Sequence, residues 1–88
     1  MEKDISIIRK NLDNGKVIFG ESETLKAVKK GSAAIVFLAS NAKEELKKSL
    51  ERYKKTGKFE LKQLDIDNNE LGAFCKKQFN IAVLTLLK

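Results

Sequence analysis

The chain has 88 residues, with 18 Lys plus Arg against 12 Asp plus Glu for a formal net charge of +6, one cysteine and no histidine. That length builds a single small domain, residues 1–88, around one core, and the basic balance favours an anionic partner. A lone cysteine without histidine excludes an internal disulfide, the usual zinc sites, Cys–His and Ser–His nucleophile arrangements and most general-base chemistry, so neither an enzyme nor a cofactor is expected.

Met1-Glu2-Lys3-Asp4 lacks the apolar core of a signal peptide, and no apolar run approaches the roughly twenty residues that span a bilayer. The expectation is a soluble cytoplasmic protein with no membrane partner. From Lys3 to Asn14, Ile5, Ile8 and Leu12 fall on one helical face, and Asn14-Gly15 stops the helix. A short strand follows at Val17 to Phe19.

Gly20 then breaks that strand into a second helix, running from about Ser22 or Glu23 to Lys30 and closed by Gly31. A helix start offers unpartnered backbone N–H groups at the positive end of the macrodipole, so a phosphate or the acceptor edge of a base can dock there. Lys26 lies one turn in, within reach of the same ligand. On spacing alone, a capped structural helix with solvated lysines is the commoner reading of such a stretch.

Ala34 to Ala39, Ala-Ile-Val-Phe-Leu-Ala, is apolar on both alternating faces, as a central strand covered on both sides must be. Asn41 with Glu44 has the spacing of a helix cap answered from the third helical position. Leu46, Leu50 and Tyr53 stripe the third helix, which ends near Thr56-Gly57, with Glu44–Lys48 and Glu51–Lys55 paired on its solvated side. Phe59 to Leu64 reads as a strand with one partly exposed face. Asp65 to Asn69 is a loop whose Asp or Asn caps a short helix from Glu70 to Cys75. That loop lacks the Gly and the ligand spacing of a calcium hand, so no metal site is expected. Ile81 to Leu87 is the last buried strand, and a buried apolar role is expected for Cys75.

Helix and strand alternate throughout, which predicts an α/β fold, a three-layer α/β/α sandwich around one mixed or parallel four-stranded sheet. Ligands of such sheets sit where strands end and helices begin. If the strands run the same way, the loops at 20–23, 40–43 and 68–79 meet there. They then present backbone N–H groups, Ser22, Glu23, Lys26 and Asn41, with Lys76, Lys77 and Phe79 at the rim. Lysines suit phosphates or a guanine edge, amides and carboxylates suit base amino groups, and an aromatic packs on an unstacked base, a set that fits RNA. It does not fit catalysis, because Glu23 has no histidine, metal cluster or second carboxylate to form an acid–base pair. Each member also has a purely structural use: Ser22 and Asn41 as caps, Glu23 as a first-turn carboxylate, Phe79 as core.

Several segments together carry a resemblance: Gly15-Lys16-Val17 with Phe19-Gly20, Thr24-x-Lys26-Ala27-Val28 with Gly31, Ala39-Ser40-Asn41-Ala42, Tyr53, and Asn68-Asn69-Glu70-Leu71-Gly72. In this order and spacing, over nearly the whole chain, the sequence resembles the L7Ae-like superfamily of kink-turn RNA-binding ribosomal proteins, and its archaeal and eukaryotic large-subunit branch in particular. The resemblance implies a four-stranded mixed sheet and a helix start that enters the major groove of a kinked RNA internal loop with tandem sheared G·A pairs. The implied contacts fall on Gly20, Ser22, Glu23, Lys26, Asn41 and the segment up to Phe79. It further implies a ribosome-bound, non-enzymatic role in the large subunit, with ribosomal RNA and neighbouring ribosomal proteins as partners and no small-molecule substrate. A stand-alone kink-turn binder, in a small ribonucleoprotein or in messenger-RNA regulation, is the alternative. A protein-interaction adaptor on the same fold is a third, but such adaptors are acidic where this chain is basic. Two positions depart from the pattern: Ser22 stands where relatives usually carry Asn or Lys, and Lys76 where Gly is usual.

Overall fold

The computed structural model describes residues 2–88 and gives the order α1 (Glu2–Asn11), β1 (Val17–Phe19), α2 (Glu21–Lys30), β2 (Ala33–Leu38), α3 (Glu44–Gly57), β3 (Glu60–Gln63), α4 (Asn68–Phe74), β4 (Val83–Leu87). The strands form one sheet in the order β1-β4-β2-β3. β4 runs antiparallel to both its neighbours, and β3 lies parallel to β2. It follows that β1, β2 and β3 all point the same way, with β4 inserted against them, and the sheet is mixed.

Side-chain alternation along β2 separates the two helical layers. Val36 and Leu38 face α2 and α3, packing with Ala27, Val28, Leu46, Leu50 and Phe59. Phe37 and Ala39 face α1 and α4, packing with Ile8, Leu71, Cys75 and Leu84. All four of these residues of the β2 segment are fully buried. This is the expected three-layer sandwich, with the buried run 36–39 at its centre because only a strand covered on both faces can hide successive apolar side chains. Cys75 is buried in the α1/α4 layer, as expected.

Some boundaries move, each for a local reason. α1 ends at Asn11 instead of Asn14, because side-chain amides replace the helical ladder: Asn11 Nδ2 donates to Ile7 O (2.8 Å), Asn14 Nδ2 to Asn11 Oδ1 (2.8 Å), and Asn14 Oδ1 accepts from Lys16 N–H (3.0 Å). α2 begins at Glu21, earlier than Ser22 or Glu23, with Gly20 as its N-cap. Ser22 is therefore inside the first turn and is not a cap. Asn41 does not cap α3 either; Lys43 holds that position, and no side chain bonds the helix start. α4 begins at Asn68, two residues ahead of the expected Glu70, because Asp67 Oδ1 accepts the Glu70 N–H at 2.8 Å and closes the opening turn.

Candidate RNA-binding groove

The common direction of β1, β2 and β3 puts their C-terminal ends, and the start of β4, on one edge of the sheet. Gly20 makes the first turn of that edge. Its φ of 94° and ψ of 160° lie in a region open in practice to glycine alone. There its N–H donates to Val83 O (3.0 Å), while its carbonyl accepts from Thr24 N–H (3.1 Å). That second bond is the first of the helix, so the N–H groups of Glu21, Ser22 and Glu23 precede it with no partner inside the helix.

The next loops are fastened to each other. Asn41 Nδ2 donates to Asn68 Oδ1 (3.0 Å), and Asn41 Oδ1 accepts from the Asn68 N–H (2.9 Å). The Asn68 carbonyl in turn accepts from Ile81 N–H at 3.0 Å. One residue thus clamps the β2–α3 loop on one side and the approach to β4 on the other. The last segment comes close to α4 because Gly72 has no side chain: a Cβ there would overlap the Phe79 carbonyl oxygen. With its backbone pinned, Phe79 stays 57% exposed, a large apolar residue facing solvent.

Between these loops lies an open cavity of about 510 Å³, lined by Gly20, Glu21, Asn41, Lys43, Asn68 and Phe79 among others. It offers free N–H groups, paired amides and an aromatic face. A family model described as the ribosomal protein L7Ae/L30e/S12e/Gadd45 family matches residues 5–88. The chain belongs to that family.

Large ribosomal subunit protein eL30 of Methanocaldococcus jannaschii is 40% identical over 80 residues, which cover 91% of this chain and 73% of that protein. The protein of the same name from Methanothermobacter thermautotrophicus is 34% identical over 79 residues, covering 90% and 81%. Among solved structures, a Giardia lamblia 15.5 kD RNA-binding protein superposes with a TM-score of 0.81 at 22% identity, over 96% of this chain and 70% of that one. A Bacillus halodurans protein of unknown function gives 0.83 at 23% identity, over 96% and 83%. At such identities, the structural likeness establishes the fold alone.

In this L7Ae/L30e-family chain the expected site residues separate into groups. Gly20, Asn41 and Phe79 line the groove. Ser22, Glu23 and Lys26 stand just outside it, exposed on the opening turns of α2, with Lys26 Nζ 3.8 Å from Glu23 Oε1. Lys76 and Lys77 do not share the groove. They line a second cleft of about 410 Å³ with Arg9, Phe74 and Cys75, where Lys77 Nζ lies 4.9 Å from the centroid of the Phe19 ring. Phe19 borders both hollows and divides them. Burial pushes the Cys75 thiol up from its ordinary pKa, and the nearby Lys77 charge only partly opposes this. Lys76 has a φ of +59°, a conformation that favours glycine, the residue the family resemblance places there. Sequence reading missed Glu21, Lys43 and Asn68 as groove residues. Asn68 opens the Asn68-Asn69-Glu70-Leu71-Gly72 segment, and that motif was the signal for it.

Proposed function

We propose that this chain is a structural, non-enzymatic RNA-binding protein of the large ribosomal subunit, cytoplasmic and ribosome-bound, whose groove holds a kinked internal loop of ribosomal RNA. Family membership and eL30 relatives that match most of the chain support the ribosomal assignment. The observation that carries the groove is the convergence of the Gly20 turn, the Asn41–Asn68 clamp and exposed Phe79 at one edge. A regular A-form major groove is too narrow for side chains to read, whereas a kink opens it and splays bases outward. The α2 start then enters the opened groove, with Gly20, Ser22, Glu23 and Lys26 nearest the bases, Asn41 beside them, and Phe79 packed on an unstacked base. Lys76 and Lys77 contact the same RNA from the adjoining cleft, beyond Phe19. Neighbouring ribosomal proteins are the further partners.

The test is a titration with a hairpin carrying tandem sheared G·A pairs, against the same hairpin with those pairs made Watson–Crick. Selectivity on the order of 1,000-fold or more is expected, at the lower end of specific over non-specific nucleic-acid binding. Equal affinity for both hairpins would remove the kink from the reading. Failure to co-sediment with large subunits in a lysate would favour a stand-alone kink-turn binder.

A further inference from the structure

The charge of the chain is divided between the two ends of the sheet. At the groove end, α2, α3 and α4 carry Glu21, Glu23, Glu44, Glu45 and Glu70 in their opening turns, and Asp67 caps α4. At the far end, α2 and α3 finish with Lys29, Lys30, Lys54 and Lys55, Lys58 is the C-cap of α3, and Lys88 follows β4. All these lysines are exposed.

They form one surface. Lys29 Nζ lies 5.9 Å from the Tyr53 ring centroid, which ties the end of α2 to that of α3. Lys88 N–H donates to Ser32 O (2.9 Å), and Leu87 N–H to Lys16 O (2.7 Å), which adds exposed Lys16 to the same end. Among the described residues, the ion pairs engage Lys26 and Lys62 and none of these lysines. Among the described residues, Glu51 lies one turn before Lys54 and Lys55 in α3 without an ion pair to either, and Glu60 at the start of β3 has its Oε2 3.9 Å from Lys62 Nζ.

The helix dipole accounts for lysines in the last turns of α2 and α3. It does not account for Lys16 or Lys88, which lie outside any helix. So many unpaired like charges repel one another and weaken the fold unless an anion covers them. At the groove end Lys26, Lys43, Lys76 and Lys77 stand among carboxylates, whereas the lysines of the opposite pole outnumber the acidic groups near them.

We propose that this lysine pole binds the sugar–phosphate backbone of a second RNA segment, so that one chain bridges two RNA elements; this rests on the RNA-binding reading of the groove. An anionic membrane is the poorer fit, because the large apolar side chain exposed among the described residues, Phe79, belongs to the other end. Phosphate neutralisation by lysines is indifferent to sequence and strongly salt-dependent.

The test compares the full chain with a Lys29→Gln/Lys30→Gln/Lys54→Gln/Lys55→Gln variant, and with a Lys16→Gln/Lys58→Gln/Lys88→Gln variant whose changes spare the helix interiors. Each is titrated with a plain RNA duplex and with a minimal kink-turn hairpin. With about four phosphates neutralised, parent affinity for the duplex should fall roughly 100-fold between about 50 and about 200 mM salt. Both variants should bind the duplex at least about tenfold more weakly, with a shallower salt slope, yet hold the hairpin within about twofold of the parent. The parent should also take up both RNAs at once. Unchanged duplex affinity in both variants would overturn the proposal, as would parent binding to phosphatidylserine vesicles or a poly-glutamate peptide but not to the duplex. A parent that binds the hairpin no more tightly than the duplex would refute the groove and leave the pole standing. A parent that binds the hairpin alone would refute the pole.

Discussion

Replacing Gly72 by Ala sets two effects of opposite sign against each other. Gly72 is buried inside α4, where Ala is favoured over Gly by about 1 kcal/mol on helix propensity. Its new Cβ, however, would overlap the Phe79 carbonyl oxygen and sit 3.2 Å from the Phe79 carbonyl carbon and 3.4 Å from Asn80 Cα. All three atoms are backbone, so no rotamer change relieves the overlap. The 79–80 segment has to retreat until the oxygen reaches the 3.4 Å at which ordinary contact begins. Such overpacking costs about 1–3 kcal/mol. The retreat also stretches the 3.0 Å bond from Ile81 N–H to Asn68 O, worth about 1 kcal/mol. The clash wins, and Gly72→Ala should lose about 2 kcal/mol in urea unfolding and melt roughly 10 °C lower. Amide resonances of residues 77–83 should shift while those of β2 and β3 stay in place. A variant as stable as the parent, with unmoved resonances at 79–81, would refute the close approach.

Other substitutions separate binding from folding. Phe79→Ala removes a largely exposed ring, so stability should change by no more than about 0.5 kcal/mol, while affinity for a kinked RNA falls by the 1–3 kcal/mol typical of a base stacked on an aromatic; unchanged affinity takes Phe79 out of the interface. Asn41→Ala deletes the reciprocal bonds to Asn68 and should lower the melting temperature by several degrees, for a loss of about 1 kcal/mol, with Asn41→Asp losing less because it keeps the acceptor; equal melting of all three proteins contradicts the clamp. Thr85→Val strands the fully buried Thr24 hydroxyl, now 2.8 Å from Thr85 Oγ1, and should cost about 1–3 kcal/mol. Adding Thr24→Val should restore much of that loss, so strict additivity in the double-mutant cycle rejects the coupling. Lys76→Gly relieves a left-handed backbone worth about 1–2 kcal/mol against about 0.4–1 kcal/mol of unfolded-chain entropy. A net gain of several tenths of a kcal/mol is expected in urea unfolding, and a loss would show that the Lys76 side chain stabilises the turn.

The layered fold was legible because apolar spacing is a direct record of burial. Ala34 to Ala39 could only be a strand hidden on both faces, and the structure buries Val36 and Phe37 in opposite layers. Strand direction was not legible, since nothing in the Val83–Leu87 pattern says that this strand inserts between β1 and β2 against the direction of both. Asn41 misled for a related reason. Its spacing to Glu44 satisfies a local cap, but its actual partner, Asn68, is 27 positions away and brought near only by the fold. The placement of Lys76 and Lys77 was not legible from adjacency. They precede Phe79 in the chain, yet after the left-handed turn at Lys76 both line the cleft beside Phe19, and only Lys77 also shares a small hollow with Phe79.

The start of α2 also looks different once its neighbours are in place. A bare helix N-terminus attracts phosphate, but Glu21 and Glu23 occupy the opening turn, and Glu44, Glu45 and Asp67 stand at the starts of α3 and α4. Those carboxylates satisfy the helix dipoles and repel a further anion from the same edge. What they accept well is the amino group of a base, which presents a donor where phosphate presents none. On the proposed function, the groove therefore meets base edges and an unstacked ring, while Lys26, paired with Glu23, is held beside them and not spent on backbone attraction. Recognition by such a surface depends on the RNA already exposing its bases, which is a property of a kink and not of a regular helix. The salt dependence of groove binding should accordingly be shallow for so basic a chain, and a slope near zero to two charges on a minimal kink-turn hairpin is the expected signature.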